Sequence, residues 1–117
     1  MKEIKAIIRP NKMPQLRKAL MSLDGFPGMT ISPAEGCSAP VRHGPALSIM
    51  EELTDFTRKL RIEIICPDEI ADQIVDRITD IGQTGHLGDG IVWVTDVQRA
   101  VFIHKTSAGA PPDPQTR

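Results

Sequence analysis

The sequence predicts an α+β fold in which one antiparallel sheet carries two helices on the same face. Two observations lead to this fold class. Apolar residues alternate at strand spacing in four segments and recur at helical spacing in two, in the order strand, helix, strand, strand, helix, strand. The chain has 117 residues, of which 40% are apolar, which suits one compact domain. Because both helices cover one face, we expect a partner subunit to bury the other.

The first half of the chain predicts a strand followed by a helix. The strand runs from Lys2 to Arg9 and alternates Ile4, Ala6 and Ile8 on one face. Asn11 is the expected N-cap of the first helix, which Asp24-Gly25 and Pro27-Gly28 bring to an end. The apolar stripe of this helix consists of Leu16, Ala19, Leu20 and Leu23.

The remaining elements follow the same patterns. Strands are predicted over Met29 to Glu35, Thr57 to Cys66 and Ile91 to Asp96, with a short fifth strand from Arg99 to Lys105. The second helix opens at Pro67-Asp68, ends at Gly82 and has an apolar stripe of Ile70, Ile74, Ile78 and Ile81. Residues 107–117 contain three prolines, so we expect one domain over residues 1–106 and a flexible tail over 107–117.

Two segments carry the functional signals. Thr84 to Gly90 holds three glycines, which either turn backbone N–H groups toward a phosphate or only cap the helix before the next strand. Gly36 to Phe56 has no sustained period, and about twenty residues without secondary structure are uncommon inside a compact domain. This long segment is either a loop that docks on a partner or a tolerated flexible excursion.

Composition excludes several function classes. Fourteen basic and fifteen acidic residues nearly balance, and the chain has few aromatic residues, so we expect no nucleic-acid binding. The apolar runs are too short to span a bilayer, which predicts no direct membrane insertion. The chain shows no signal-peptide pattern, so we expect a cytoplasmic protein in which Cys37 and Cys66 are free thiols.

Metal and catalytic sites are not predicted. The candidate metal ligands are Cys37, Cys66, His43, His86 and His104, and they lack the spacing of known metal motifs. A trimer that binds metal ions without nucleotide stays an alternative. Ser38 and His43 are the candidate catalytic residues. The sequence offers them no apparent base, orienting group or oxyanion donor, so we do not expect an enzyme. Trp93 could stack on a base, but we expect it at a subunit interface.

Four motifs together resemble the PII signal-transduction family, collinearly over about residues 1 to 105. They are the opening residues Met1 to Pro10, then Gly28-Met29-Thr30, Ile62-Glu63-Ile64 and the glycine segment Thr84 to Gly90. The resemblance implies a ferredoxin-like homotrimer that binds adenine nucleotides in the clefts between subunits. It also implies that a long loop, here about residues 37–56, contacts a target protein.

The resemblance further implies a nucleotide site. Its matched positions are Ile7, Thr30, Gly36, Glu63, Ile65, Thr84, Gly88, Asp89 and Gly90, and the further expected nucleotide-binding residues are Cys37, Ser38 and His104. Where the family places basic residues on the outer phosphates, this chain has Ile91, Phe102 and His104. Charge-assisted phosphate contacts contribute about 1.5–3 kcal/mol each. We therefore expect ADP or AMP to compete well with ATP.

The loop root departs from the family as well. Ala39 and Pro40 replace an arginine and the glutamine that helps to hold Mg²⁺ and 2-oxoglutarate in the family, and proline offers no such ligand. The chain has no tyrosine, which excludes the uridylylation used by the nitrogen-regulatory branch. Lys59 remains at the position that contacts the 2-oxoglutarate carboxylate in the family. We therefore expect a smaller anion, bicarbonate, as the second ligand near Gly36, Cys37, Ser38 and Lys59.

Divergent PII-like branches include carboxysome-associated members linked to inorganic-carbon uptake. The connection from Phe26 to Thr30, one residue longer than usual, is similar to that of these branches. We expect a regulator that senses ADP or AMP together with bicarbonate and controls a membrane transporter, one for inorganic carbon, through the long loop. Three alternatives stay open. They are a regulator associated with metal efflux, a metal-tolerance trimer without nucleotide binding, and a nitrogen-regulatory PII protein that binds ATP and 2-oxoglutarate.

Overall fold

The computed structural model describes residues 1–37 and 56–104. Four antiparallel strands form one sheet in the order β2-β3-β1-β4. The strands are β1 (Lys2–Ile8), β2 (Thr30–Cys37), β3 (Phe56–Cys66) and β4 (Gly90–Asp96), and the helices are α1 (Met13–Met21) and α2 (Asp68–Gly82). This is the predicted ferredoxin-like α+β fold, with a four-stranded antiparallel sheet and two helices.

The core lies between the sheet and the helices. Ile4, Ala6 and Ile8 point into it from β1 and are almost fully buried, as their alternation predicts. The other buried side chains come from β3 and both helices; they are Met13, Leu16, Leu20, Ile62, Ile64, Cys66, Ala71, Ile74 and Ile78. The outer members of the predicted α2 stripe, Ile70 and Ile81, are only partly buried, because the helix centres Ile74 and Ile78 on the sheet.

The start of the first helix differs from the prediction. Asn11 is not its N-cap, because it lies inside a 3₁₀ turn, Pro10–Lys12, that leads directly into α1. The fixed φ of Pro10 starts this turn early, and Lys12 then becomes the N-cap without a side-chain hydrogen bond. Strand ends differ by one or two residues from the predicted ones, a normal uncertainty for element boundaries.

Residues 99–104 do not form the predicted fifth strand, so this prediction is wrong over these residues. Lys105 lies outside the described residues. Among the described residues β4 is an edge strand whose neighbour is β1. A hydrogen bond of 3.1 Å from the Val97 amide to the Met1 carbonyl ends the pairing between the two strands. Alternation alone therefore predicted a strand for which the described chain supplies no partner.

The long segment begins and ends at the same place. β2 and β3 pair as far as Cys37 opposite Phe56, so the two ends of the predicted loop lie side by side. The predictions made for residues 38–55, including those for Ser38, Ala39, Pro40 and His43, lie outside the described residues, as do residues 105–106 and the predicted tail of residues 107–117. In the described helices, no run is both long and apolar enough to cross a membrane.

The second face of the sheet is not covered by either helix. One row across it contains Thr30, Glu63, Lys5 and Trp93, and the next contains Arg61, Ile7 and Ile91. Trp93 is 38% exposed and Ile91 is 62% exposed on this open face. The placement of Trp93 at a subunit interface stays a prediction.

Candidate functional site

The glycine segment forms a loop at one end of the sheet, between α2 and β4. Gly85, Gly88 and Gly90 have φ values of +85°, +90° and +122°, which other residues rarely adopt. At Gly90 the reason is also steric, because an added Cβ would lie 1.8 Å from the Ile7 carbonyl oxygen. The glycines are therefore required by the path of this loop, which we call the 84–90 loop.

Asp89 organises the 84–90 loop from within. One carboxylate oxygen accepts hydrogen bonds from the amides of Thr84, at 2.6 Å, and Gly85, at 3.0 Å. The other oxygen accepts the Thr84 hydroxyl at 2.5 Å. These contacts, led by the two from Thr84, hold the pKa of Asp89 far below its ordinary value. Asp89 is therefore ionised at neutral pH and ties the end of the loop to its beginning.

The amides of the loop differ in what they can bind. Those of Thr84 and Gly85 donate to Asp89, and the His86 amide donates to the Thr84 hydroxyl at 3.3 Å. Within the described part of the chain, the amides of Leu87 and Gly88 donate to no protein group. Thr84 thus has a structural role in the loop, and the amides best suited to an anion lie at the middle of the loop.

Two cations lie behind the loop. Arg9, at the end of β1, donates from Nε to Asp89 and from Nη2 to the Leu87 carbonyl, both at 3.1 Å. The Lys59 ammonium donates to the Gly88 carbonyl and is 7% exposed. Burial lowers the pKa of Lys59, and the charge of Arg9 lowers it further. Arg9 is not among the predicted site residues, although its position directly before Pro10 fixes where β1 ends.

The predicted nucleotide residues fall into two groups on the open face. Ile7, Gly36 and the 84–90 loop lie at the end of the sheet that contains Lys59. Glu63 is paired with Thr30, and Ile65 lies two residues further along β3. Lys59 and Glu63 lie four positions apart along β3, which corresponds to about 13 Å, whereas Ile7 pairs with Arg61 in the row next to Glu63. Within one chain, one ring or one phosphate group therefore cannot contact both Lys59 and Glu63.

An apolar groove of about 130 Å³ lies beside the loop, where α2 ends against β1 and β4. Among the residues that line it are Ile7, Ile78, Gly82, Asp89 and Ile91. The groove joins an apolar wall to the polar atoms of the loop. At about 130 Å³ the groove is smaller than most ligand pockets, which measure about 300–1,000 Å³, so one chain offers only part of a site for a small molecule.

The last described residues are exposed or half-buried. Phe102 is half-buried, and His104 is exposed with its ring centroid 6.1 Å from that of Phe102. Cys37 is exposed at the end of β2, whereas Cys66 is buried in the core, where burial raises the pKa of its thiol. A metal site that uses both cysteines is therefore not supported by their positions.

Comparison with known proteins identifies the family. The family model described as "Nitrogen regulatory protein P-II" matches residues 1–107. The chain is 41% identical over 103 residues to nitrogen regulatory protein P-II 1 of Escherichia coli (strain K12), covering 88% of this chain and 91% of the relative. It is 33% identical over 109 residues to nitrogen regulatory protein P-II of Bradyrhizobium diazoefficiens, covering 93% and 96%.

The chain therefore belongs to the P-II family of regulatory proteins. The match covers the sheet, both helices, the 84–90 loop and the residues between β2 and β3. The family membership predicted from the four motifs is confirmed. The narrower assignment to a carbon-related branch, and the residues of the nucleotide site, stay predictions.

Proposed function

We propose that this protein is a regulator that binds ADP or AMP in preference to ATP at the 84–90 loop. The observation that carries the proposal is the loop itself: Asp89 closes a turn with three glycines, next to an apolar groove, and the central amides of this turn donate to no group among the described residues. An adenine ring suits the groove, and the phosphates suit the amides. Membership in the P-II family supports a regulatory role rather than an enzymatic one.

The preference for ADP or AMP rests on three residues. Ile91, Phe102 and His104 stand where the family resemblance implies cations for the outer phosphates. Ile91 is 62% exposed beside the loop, where an isoleucine offers no charge to a γ-phosphate. Losing two or three charge-assisted contacts, at about 1.5–3 kcal/mol each, removes much of the affinity that the γ-phosphate would add.

The complete site requires a second subunit in this proposal. The group around the 84–90 loop and the group of Thr30, Glu63 and Ile65 lie about 13 Å apart along β3, by the strand rise. In a homotrimer, the 84–90 loop of one subunit would face Thr30, Glu63 and Ile65 of a neighbouring subunit. One nucleotide would then contact both groups. The uncovered sheet face, with Ile91 and Trp93 exposed on it, supports such an assembly.

Bicarbonate is the second ligand that we propose. The Lys59 ammonium is buried and uses one of its N–H groups on the Gly88 carbonyl, which leaves donors for a small anion. Gly36 lies against it, since an added Cβ there would be 3.4 Å from Lys59 Cγ. Cys37 follows at the end of β2, where its backbone would contribute to the anion site, and Ser38, the next residue in the sequence, lies outside the described residues.

The target would be a membrane transporter, one for inorganic carbon in a carboxysome-related context. The partner contact falls on the loop of about residues 37–56, whose two ends are held together by the pairing of Cys37 with Phe56. Because β3 continues from this stem to Lys59, a ligand at Lys59 would act on the root of the loop.

Calorimetric titration with AMP, ADP and ATP, each with and without bicarbonate, tests this proposal. We expect ADP or AMP to bind at least as tightly as ATP, and bicarbonate to tighten the binding. A reversal variant with Ile91→Lys, Phe102→Arg and His104→Arg should regain a preference for ATP of about tenfold or more. Arg17→Gln, which changes an exposed charge on α1, is the control for charge alone.

A second candidate is nitrogen regulation with ATP and 2-oxoglutarate. It is favoured by the names of the relatives, which are nitrogen regulatory proteins at 33% and 41% identity. The same titration repeated with Mg²⁺ and 2-oxoglutarate separates the two candidates. Tightest binding of ATP under these conditions would contradict the ADP or AMP proposal.

A further inference from the structure

Arg9 connects the 84–90 loop to the sheet through two different atoms of the loop. Its Nε donates to Asp89, and its Nη2 donates to the Leu87 carbonyl. The other hydrogen bonds that Asp89 accepts within the described residues come from Thr84 and Gly85, which belong to the loop itself. Within the described residues, Arg9 therefore supplies the side-chain contact that links the Asp89 carboxylate to the end of β1.

The direction of these contacts determines which way the loop amides point. In a trans peptide the C=O of one residue and the N–H of the next point in opposite directions. Arg9 draws the Leu87 carbonyl toward the sheet, so the Gly88 N–H points away from it. Lys59 draws the Gly88 carbonyl in the same way, so the Asp89 N–H is turned away from Lys59. Successive amides turned outward form an anion-binding concavity.

We propose that Arg9 is a positioning residue that turns the amides of the 84–90 loop toward a bound phosphate, without contacting the nucleotide itself. This inference rests on the proposed nucleotide site and adds how the site is held in shape. The fork of the guanidinium suits the task, because one planar group reaches Asp89 and the Leu87 carbonyl together. Three glycines make the loop flexible, so an external anchor has a large effect.

Two substitutions separate positioning from simple charge. Arg9→Gln removes the charge and the fork, whereas Arg9→Lys keeps the charge but offers one nitrogen for two acceptors. We expect both variants to weaken ADP binding by about tenfold. Arg17→Gln should leave ADP binding unchanged. Wild-type affinity in Arg9→Lys would overturn the proposal, because charge alone would then suffice.

A double-mutant cycle tests whether Arg9 acts through the loop. Arg9→Gln, Asp89→Asn and the combined variant are titrated with ADP by calorimetry. If Arg9 works through Asp89, the combined loss stays well below the product of the two single losses. Losses that multiply would show that Arg9 does not act through Asp89, which overturns the proposal.

Amide hydrogen exchange in the absence of nucleotide keeps the test independent of the proposed function. The Thr84 and Gly85 amides, which donate to Asp89, should exchange about tenfold faster in Arg9→Gln than in the wild type. The amides of Ile4 and Ala6 in the central strand should keep their wild-type rates. Unchanged exchange at Thr84 and Gly85 would overturn the positioning role, whereas failure of wild-type protein to bind ADP would overturn the proposed function alone.

Discussion

Different forces hold the core beneath the helices and the 84–90 loop. The core is a layer of apolar side chains in which Ile4, Leu16 and Ile62 are fully buried. The loop contains three glycines and is held by hydrogen bonds to Asp89, Arg9 and Lys59. Shortening one core side chain therefore leaves a cavity and lowers stability, whereas removing one polar group of the loop changes the direction of several backbone groups.

This difference implies that stability and ligand binding can be changed separately. Apolar contacts are spread over many atoms, so the core tolerates small changes of shape at a moderate cost. The loop depends on a few atoms with fixed geometry, and their loss affects the site before it affects the fold. The following predictions test whether the two regions respond in these different ways.

Shortening a core side chain should give the largest loss of stability. Ile62→Ala is expected to lower the free energy of unfolding by about 2–5 kcal/mol, because Ile62 is fully buried between the sheet and the helices. Met21→Ala, at an exposed position on α1, should stay within about 0.5 kcal/mol. Urea denaturation measures both, and similar losses in the two variants would contradict the assigned core.

A methyl group at Gly90 should disrupt the junction of the two regions. Gly90→Ala places a Cβ on the Ile7 carbonyl oxygen and strains a φ of +122°, for an expected cost of about 3 kcal/mol. Gly85→Ala also has a positive φ but open space around it, so its cost should be about 1 kcal/mol. Thermal unfolding compares the two variants. Equal losses of stability in the two variants would show that the close approach of Gly90 to the Ile7 carbonyl does not affect stability.

Acid should weaken the loop through Asp89. The folded-state pKa of Asp89 lies below its ordinary value of 3.8, so its stabilising contribution is present above about pH 3.8 and is lost as the pH falls toward the folded value. Asp89→Asn should therefore be less stable than the wild type at pH 6, and the difference should shrink below pH 3.8. Melting temperatures from pH 2 to 6 measure this, with Asp24→Asn as an exposed control. A difference that does not change with pH would contradict the role of the Asp89 charge.

Replacing Lys59 should give the smallest change in stability. Lys59→Met removes a buried ammonium whose pKa is lowered by burial, and it also removes the hydrogen bond to the Gly88 carbonyl. These effects oppose each other, so the free energy of unfolding should change by less than about 1 kcal/mol. The tightening of ADP binding by bicarbonate should nevertheless be lost in this variant. Retention of the bicarbonate effect in calorimetry would remove Lys59 from the proposed anion site.

The fold could be predicted from the sequence because it depends on side-chain periodicity. Ile4, Ala6 and Ile8 alternate as a strand requires, and α2 begins and ends where Pro67 and Gly82 predict. The same method failed at Asn11, because the 3₁₀ turn at Pro10 is a local backbone effect. It failed again at residues 99–104, because alternation does not reveal whether a strand has a partner.

The candidate site was only partly predictable. The spacing of the glycines indicated the loop, and Asp89 was among the expected residues. Arg9 was missed because its role depends on β1 ending beside a loop about 80 residues later, and periodicity carries no information about such a contact. The separation of Glu63 from the 84–90 loop also became visible only through the strand register.

The ratio of the ATP and ADP dissociation constants, measured by calorimetry on the wild-type protein, tests the proposed nucleotide preference most directly. We expect ADP to bind at least as tightly as ATP, because Ile91, Phe102 and His104 offer the γ-phosphate little or no charge. ATP that binds ten times more tightly than ADP, with a further gain from Mg²⁺ and 2-oxoglutarate, would contradict it.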